Sequence, residues 1–169
     1  VRYYATPTVD RAMIWITSLG SGRIYAIFGL ISLLGLFGRR LWREGVMLAV
    51  CLTGGGFLNF VLKSIFERSR PDLFRLVPET GYSFPSGHAM VAFCFYGMLA
   101  YLAIRRTSSG KTRVLVAVLT AVLLAAIGLS RIYLGVHYPT DVAAGYIAGG
   151  VWLGLCISLL IWWEKKATG

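Results

Sequence analysis

Five apolar stretches, at about 24–38, 45–62, 86–104, 113–130 and 141–163, divide this chain of 169 residues and limit its possible folds more than any other feature. An α-helix crosses a bilayer core with ~20 apolar residues, a length these stretches approach, the first three being short. Charged residues make up 14% of the sequence, against roughly 25% in a soluble domain, and mean hydropathy is +0.69. We read an all-α polytopic membrane helix bundle, with five spanning helices in a single membrane-embedded domain covering residues 1–169.

The net charge of +10 could suggest a nucleic-acid partner, but the positions of the charges argue against one. Arg39, Arg40 and Arg43 follow the first stretch, Arg105, Arg106, Lys111 and Arg113 separate the third from the fourth, and Lys165 and Lys166 close the chain. Alternating passes put these clusters on one side, which the positive-inside rule makes cytoplasmic. The loops 63–85 and 131–140 then face outward, where Lys63, Arg68, Arg70, Arg75 and Arg131 are not topology signals. The same parity leaves residue 1 outside, so one more spanning helix is expected ahead of Val1. Between them, Val9, Met13, Trp15 and Ile16 fall close to helical spacing, which predicts a short helix along the membrane interface, with a frayed linker as the alternative.

Small residues mark close helix approaches: Gly54, Gly55 and Gly56, then the four-residue pairs Gly145/Gly149 and Gly150/Gly154. Asn59 reads as an interhelical hydrogen bond. Cys51, Cys94 and Cys156 lie inside apolar stretches, where a free thiol packs as a small hydrophobe. Pro71 and Pro78 argue that the polar segment 63–84 is not one continuous helix. Pro85 and Pro139 sit near first-turn positions of the helices that follow.

Ionisable groups at the mouths of membrane helices are expensive and imply a functional site. Two histidines, one carboxylate and three cations cluster there: His88, His137, Asp141, Lys63, Arg70 and Arg131. Arginine forks suit bidentate phosphate contacts and lysine supplies a compact charge. Ser86 and Gly87 precede a helix whose first N–H groups point toward any anion. His137 and Asp141 stand one turn apart if residues 138–141 begin the last helix. The carboxylate could then accept the Nδ1–H and leave Nε2 free to attack. His88 could donate a proton to a departing oxygen. Asp141 could equally be a helix cap. Arg68 and Arg75 read as partners of headgroups or of Glu67 and Asp72. Two other arrangements use the same residues: a metal bound by the histidines and a carboxylate, which the cations would repel, and an acyl-transfer triad of Ser86, His137 and Asp141.

Three runs carry a family resemblance: Lys63, six residues, Arg70-Pro71; Pro85-Ser86-Gly87-His88; and Ser130-Arg131, five residues, His137, three residues, Asp141. In these runs the chain resembles the type 2 phosphatidic acid phosphatase superfamily, with no departure at any motif position. The resemblance implies six membrane helices, of which five are visible here, no cofactor or metal, and an active site on the extracytoplasmic face of the cell membrane. It implies His137 as a nucleophile that becomes phosphohistidine, Asp141 as its orienting partner and His88 as acid then base. Lys63, Arg70, Ser86, Gly87 and Arg131 would hold the phosphate. The short loops look like those of compact bacterial members acting on phosphatidylglycerophosphate or undecaprenyl diphosphate. Vanadium haloperoxidases share the signatures but are soluble. The expected partner is therefore a lipid phosphate drawn from the bilayer, with non-hydrolytic carriage or phosphoryl transfer to another acceptor as alternatives.

Overall fold

The computed structural model describes residues 6–72 and 75–167. The described residues form α1 (Pro7–Ser18), α2 (Gly22–Gly38), α3 (Trp42–Phe66), α4 (Gly87–Ile104), α5 (Gly110–Tyr133) and α6 (Pro139–Lys166). Helices α2 to α6 coincide with the five apolar stretches. Helices α3 and α5 run about a turn past them, because polar residues such as Lys63 and Arg131 complete the turns at the helix ends.

Four helices, α3 to α6, are each long and apolar enough to cross a membrane. Helix α2, with 17 residues, reaches that standard only together with α1, from which it is bent by 47°. The first expected span is thus one arm of a bent pair, and the short helix expected at the interface is the other arm. The break has a local cause. Tight turns close α1 at Leu19 and Gly20, and the Ser21 hydroxyl then caps α2 by accepting from the Ile24 N–H at 3.5 Å.

Helix α4 lies at the centre, packed on α3, α5 and α6, with Met90, Cys94, Phe95 and Met98 fully enclosed. Helix α6 meets it backbone to backbone. A methyl group at Gly145 would sit 2.8 Å from the Ser86 carbonyl oxygen, and one at Gly149 2.7 Å from that of Met90. Small residues permit this approach where water supplies no drive to associate. The pair Gly150/Gly154 does not repeat it, since Gly150 faces the Phe93 ring at ordinary contact distance and Gly154 faces open space. Gly54 and Gly55 accommodate Trp152 and Cys94, whereas Gly56 is unencumbered. Asn59 joins α3 to the start of α4 by donating to the Pro85 carbonyl at 3.3 Å. The three cysteines are buried free thiols.

The outer faces are apolar. Ile147, Val151, Leu155 and Leu159 form an exposed stripe on α6, as do Val114, Val118 and Val122 on α5. Continuous apolar stripes of this kind face lipid rather than water. The chain is a multi-pass membrane protein.

Antiparallel packing sorts the charges between the two ends of the bundle. At one end the basic clusters meet, and Arg105 pairs with Glu164 and Arg106 with Glu44, each at 2.7 Å. The opposite end gathers the close of α3, the start of α4, the close of α5 and the start of α6. All of the residues expected at the site lie there.

Candidate active site

Pro139 opens α6, so its first turn carries Asp141 back beside His137, with Nδ1 and Oδ2 3.4 Å apart. The Tyr138 N–H donates to the same oxygen at 2.9 Å. Asp141 is therefore both a helix cap and the neighbour of the imidazole, the two roles left open by the sequence. Ser83, wholly buried, donates its hydroxyl to Asp141 Oδ2 and lies 3.3 Å from His137 Nδ1. Arg68 donates to Asp141 Oδ1 at 2.8 Å while its guanidinium rests on the Tyr138 ring. The structure thus moves Arg68 from the expected headgroups, Glu67 or Asp72 to the carboxylate beside His137. Arg75 does pair with Asp72, at 2.9 Å.

A carboxylate and a hydroxyl beside Nδ1 favour the tautomer with its proton there, which leaves Nε2 as an acceptor. That nitrogen lies 3.2 Å from Arg70 Nη1. Arg70 is buried and further held by the carbonyls of Val136, Gly81 and Thr80 at 3.1, 3.0 and 3.0 Å. Burial, reinforced by the charges of Arg131, Arg70 and Lys63, holds the His137 imidazole well below its ordinary pKa, so the ring is neutral at pH 7.

Arg131, at the close of α5, is 1% exposed. Its Nη1 donates to Thr17 Oγ1 at 2.8 Å and its Nη2 to Glu79 Oε1. The other oxygen of Glu79 is 3.7 Å from Arg70 Nη2. Burial opposes ionisation of Glu79, but Arg131 and Arg70 outweigh it and hold the carboxyl below its usual value. Lys63, in the last turn of α3, donates to the Tyr82 carbonyl.

Ser86 is the N-cap residue of α4, with Pro85 one position ahead of it, and its N–H donates to the Asp141 carbonyl at 2.9 Å. Its hydroxyl is buried without a hydrogen-bond partner, as is Arg131 Nε. No triad of Ser86, His137 and Asp141 is assembled; the serine on the imidazole is Ser83. Gly87 begins α4, and a Cβ there would meet Asn59 Oδ1 at 2.9 Å, so glycine at this position lets α3 approach. His88 follows in the first turn, close enough to bear on the charge of His137. Its ring lies under the α1–α2 elbow, where a Cβ at Gly20 would be 3.0 Å from Cδ2.

Four cations (Lys63, Arg68, Arg70, Arg131) meet two carboxylates (Asp141, Glu79), an excess of two positive charges. Among the described residues no three His, Cys, Asp or Glu side chains are placed to hold a metal ion. The Asp141 oxygens instead accept from Ser83 and Arg68, and His137 Nε2 faces Arg70. Ser83, Glu79 and Thr17 were not singled out in the sequence. Glu79 had one signal, an acid in an outward loop rich in cations; Thr17 had none.

The PAP2 superfamily matches residues 44–165, most of the chain. The chain belongs to the PAP2 superfamily. It is 37% identical over 147 residues to phosphatidylglycerophosphatase B of Bacillus subtilis, covering 85% of this chain and 71% of that protein. It is 30% identical over 155 residues to an undecaprenyl-diphosphatase of Sulfolobus acidocaldarius, covering 88% and 69%. The crystal structure of a transmembrane PAP2-type phosphatidylglycerolphosphate phosphatase from Bacillus subtilis superposes with a TM-score of 0.87 at 33% identity, over 96% of this chain and 80% of that one. PAP2 membership agrees with the family that the three motifs resemble.

Proposed function

We propose that this chain is a lipid phosphate phosphatase that removes the terminal phosphate of phosphatidylglycerophosphate and related lipids through a phosphohistidine at His137. The observation that carries this reading is the pair of buried, unpartnered polar atoms, Ser86 Oγ and Arg131 Nε, in a cluster whose charge excess equals that of a phosphomonoester dianion. Arg70, Arg131, Lys63, Ser86 and the first N–H groups of α4 surround the phosphate oxygens. The incoming phosphate takes over Arg70 Nη1 and releases His137 Nε2. The Nε2 lone pair then forms the N–P bond as the P–O bond to the lipid breaks, and His88 gives its proton to the departing oxygen. Water next attacks phosphorus, His88 accepts its proton, and inorganic phosphate leaves with His137 regenerated. Asp141 and Ser83 hold the imidazole throughout.

The site faces the extracytoplasmic side, because the basic opposite end is cytoplasmic by the positive-inside rule. An apolar cavity of about 570 Å³ lined by Phe93, Gly97, Tyr101, Leu124 and Tyr146 supports a tailed substrate. Phe93 and Tyr146 each lie five residues beyond His88 or Asp141, about 7–8 Å deeper along their helices. A polyprenyl diphosphate is the second reading, supported by the name of the Sulfolobus relative.

Purified protein in detergent, given phosphatidylglycerophosphate, phosphatidic acid, lysophosphatidic acid and a polyprenyl diphosphate in the presence of a chelator, should release inorganic phosphate. Binding without release would make the protein a carrier, and loss of release to the chelator would restore the metal reading. The depressed pKa of His137 fixes the sign of the pH dependence. A base with a lowered pKa stays unprotonated further into acid, so the acid limb of kcat/KM should fall below the ordinary histidine value of about 6.5. An acid limb at or above about pH 6.5 would contradict a neutral His137 as the attacking base.

A further inference from the structure

Helix α1 and its elbow lie ahead of the segment matched to the PAP2 superfamily, yet they touch the site at three places. Val9 and Met13 pack on Tyr133, Leu134 and Val136, the segment leading into His137, and the Tyr133 hydroxyl donates to Asp10 at 2.8 Å. The elbow at Gly20 abuts the His88 ring. Thr17, itself buried, accepts from Arg131 Nη1.

The last contact determines which edge of the guanidinium serves the site. Nε and Nη2 share one edge of the planar group, and Nη1 points away from it. With Nη1 held by Thr17, the edge that remains carries Nη2, now on Glu79, and Nε, which is buried and unpartnered. A phosphate bound side-on would take both N–H groups of that edge.

We infer that Thr17 is a positioning residue for phosphate binding, fixing the rotation of Arg131 so that its Nε/Nη2 edge faces the anion, and that α1 is therefore part of the active site rather than a membrane-surface accessory. The inference rests on the phosphatase reading for its substrate, but not for its anion. Thr17→Val keeps the shape and removes the acceptor, which leaves a buried charged donor unpaired and Arg131 free to turn. Thr17→Ser keeps the acceptor. Ser18→Ala on the same helix, whose hydroxyl among the described residues bonds the Trp15 carbonyl, is the control.

The test measures kcat and KM for a lipid phosphate, the inhibition constant of inorganic phosphate, and the melting temperature in detergent. Thr17→Val should raise KM and the phosphate inhibition constant together by roughly tenfold, with kcat changed far less, while Thr17→Ser and Ser18→Ala stay near wild type. A purely structural role would lower the melting temperature and leave KM and the inhibition constant unmoved. That result, or equal impairment of Thr17→Ser and Thr17→Val, would overturn the inference. If the wild type releases no phosphate from any lipid, the phosphatase reading fails separately. Calorimetric binding of inorganic phosphate then decides: weaker binding by Thr17→Val upholds the role of Thr17, whereas equal binding, or none by the wild type, ends it.

Discussion

Replacement of His137 by Ala is expected to lower phosphate release from a lipid phosphate by about four orders of magnitude or more, to whatever rate the cations alone provide. In the proposed reaction the imidazole is the nucleophile, and the hydroxyl beside it, Ser83, lies at Nδ1 rather than at the attacking Nε2. The fold should survive the change. Arg70 loses one contact but keeps the carbonyls of Val136, Gly81 and Thr80, so no buried charge is left bare. A thermal melt in detergent separates the two effects: activity disappears while the transition stays close to that of the wild type.

Asp141→Asn should lower kcat by about 10³–10⁴-fold with little change in KM, because Lys63, Arg70 and Arg131, the cations proposed to hold phosphate, make no hydrogen bond to this carboxylate. The amide cannot replace the carboxylate in either orientation. Its NH₂ would confront the Arg68 guanidinium in one and the Tyr138 N–H in the other, donor against donor. The negative charge that supports a positively charged imidazole is lost in both. Stability should fall by only about 1–2 kcal/mol, since Arg68 is partly exposed and can turn to water. An Asp141→Asn protein with wild-type kcat would show that this carboxylate serves α6 as a cap and nothing more.

The helices were legible because lipid imposes a length: each apolar stretch became a helix, and the basic loops gathered at one end. The bend between α1 and α2 was not, since it depends on a turn at Leu19 and Gly20 and on how α1 lies against α5. The expected site residues were legible as cations and imidazoles out of place among apolar segments. Their mutual arrangement was less so. Ser83 meets Asp141 across 58 positions, Arg68 meets it across 73, and Thr17 meets Arg131 across 114. Hydroxyls at such separations look like any loop or helix-end residue until the backbone brings them to a charge. Arg68 shows the converse error: neighbouring acids in sequence suggested local pairing, but its chain reaches across to the start of α6, where the buried carboxylate and the Tyr138 ring hold it.

The proposed reaction requires that His137 Nε2 bond to phosphorus during turnover. Rapid quenching of purified protein during turnover of a lipid phosphate labelled in its terminal phosphate, under alkaline conditions that preserve a phosphoramidate, tests it directly. Label is expected on the peptide carrying His137, stable to alkali and lost in acid, and none on protein with His137 replaced by Ala. Label on any other residue, or full turnover with no trapped label in a protein whose His137 has been replaced, would contradict it.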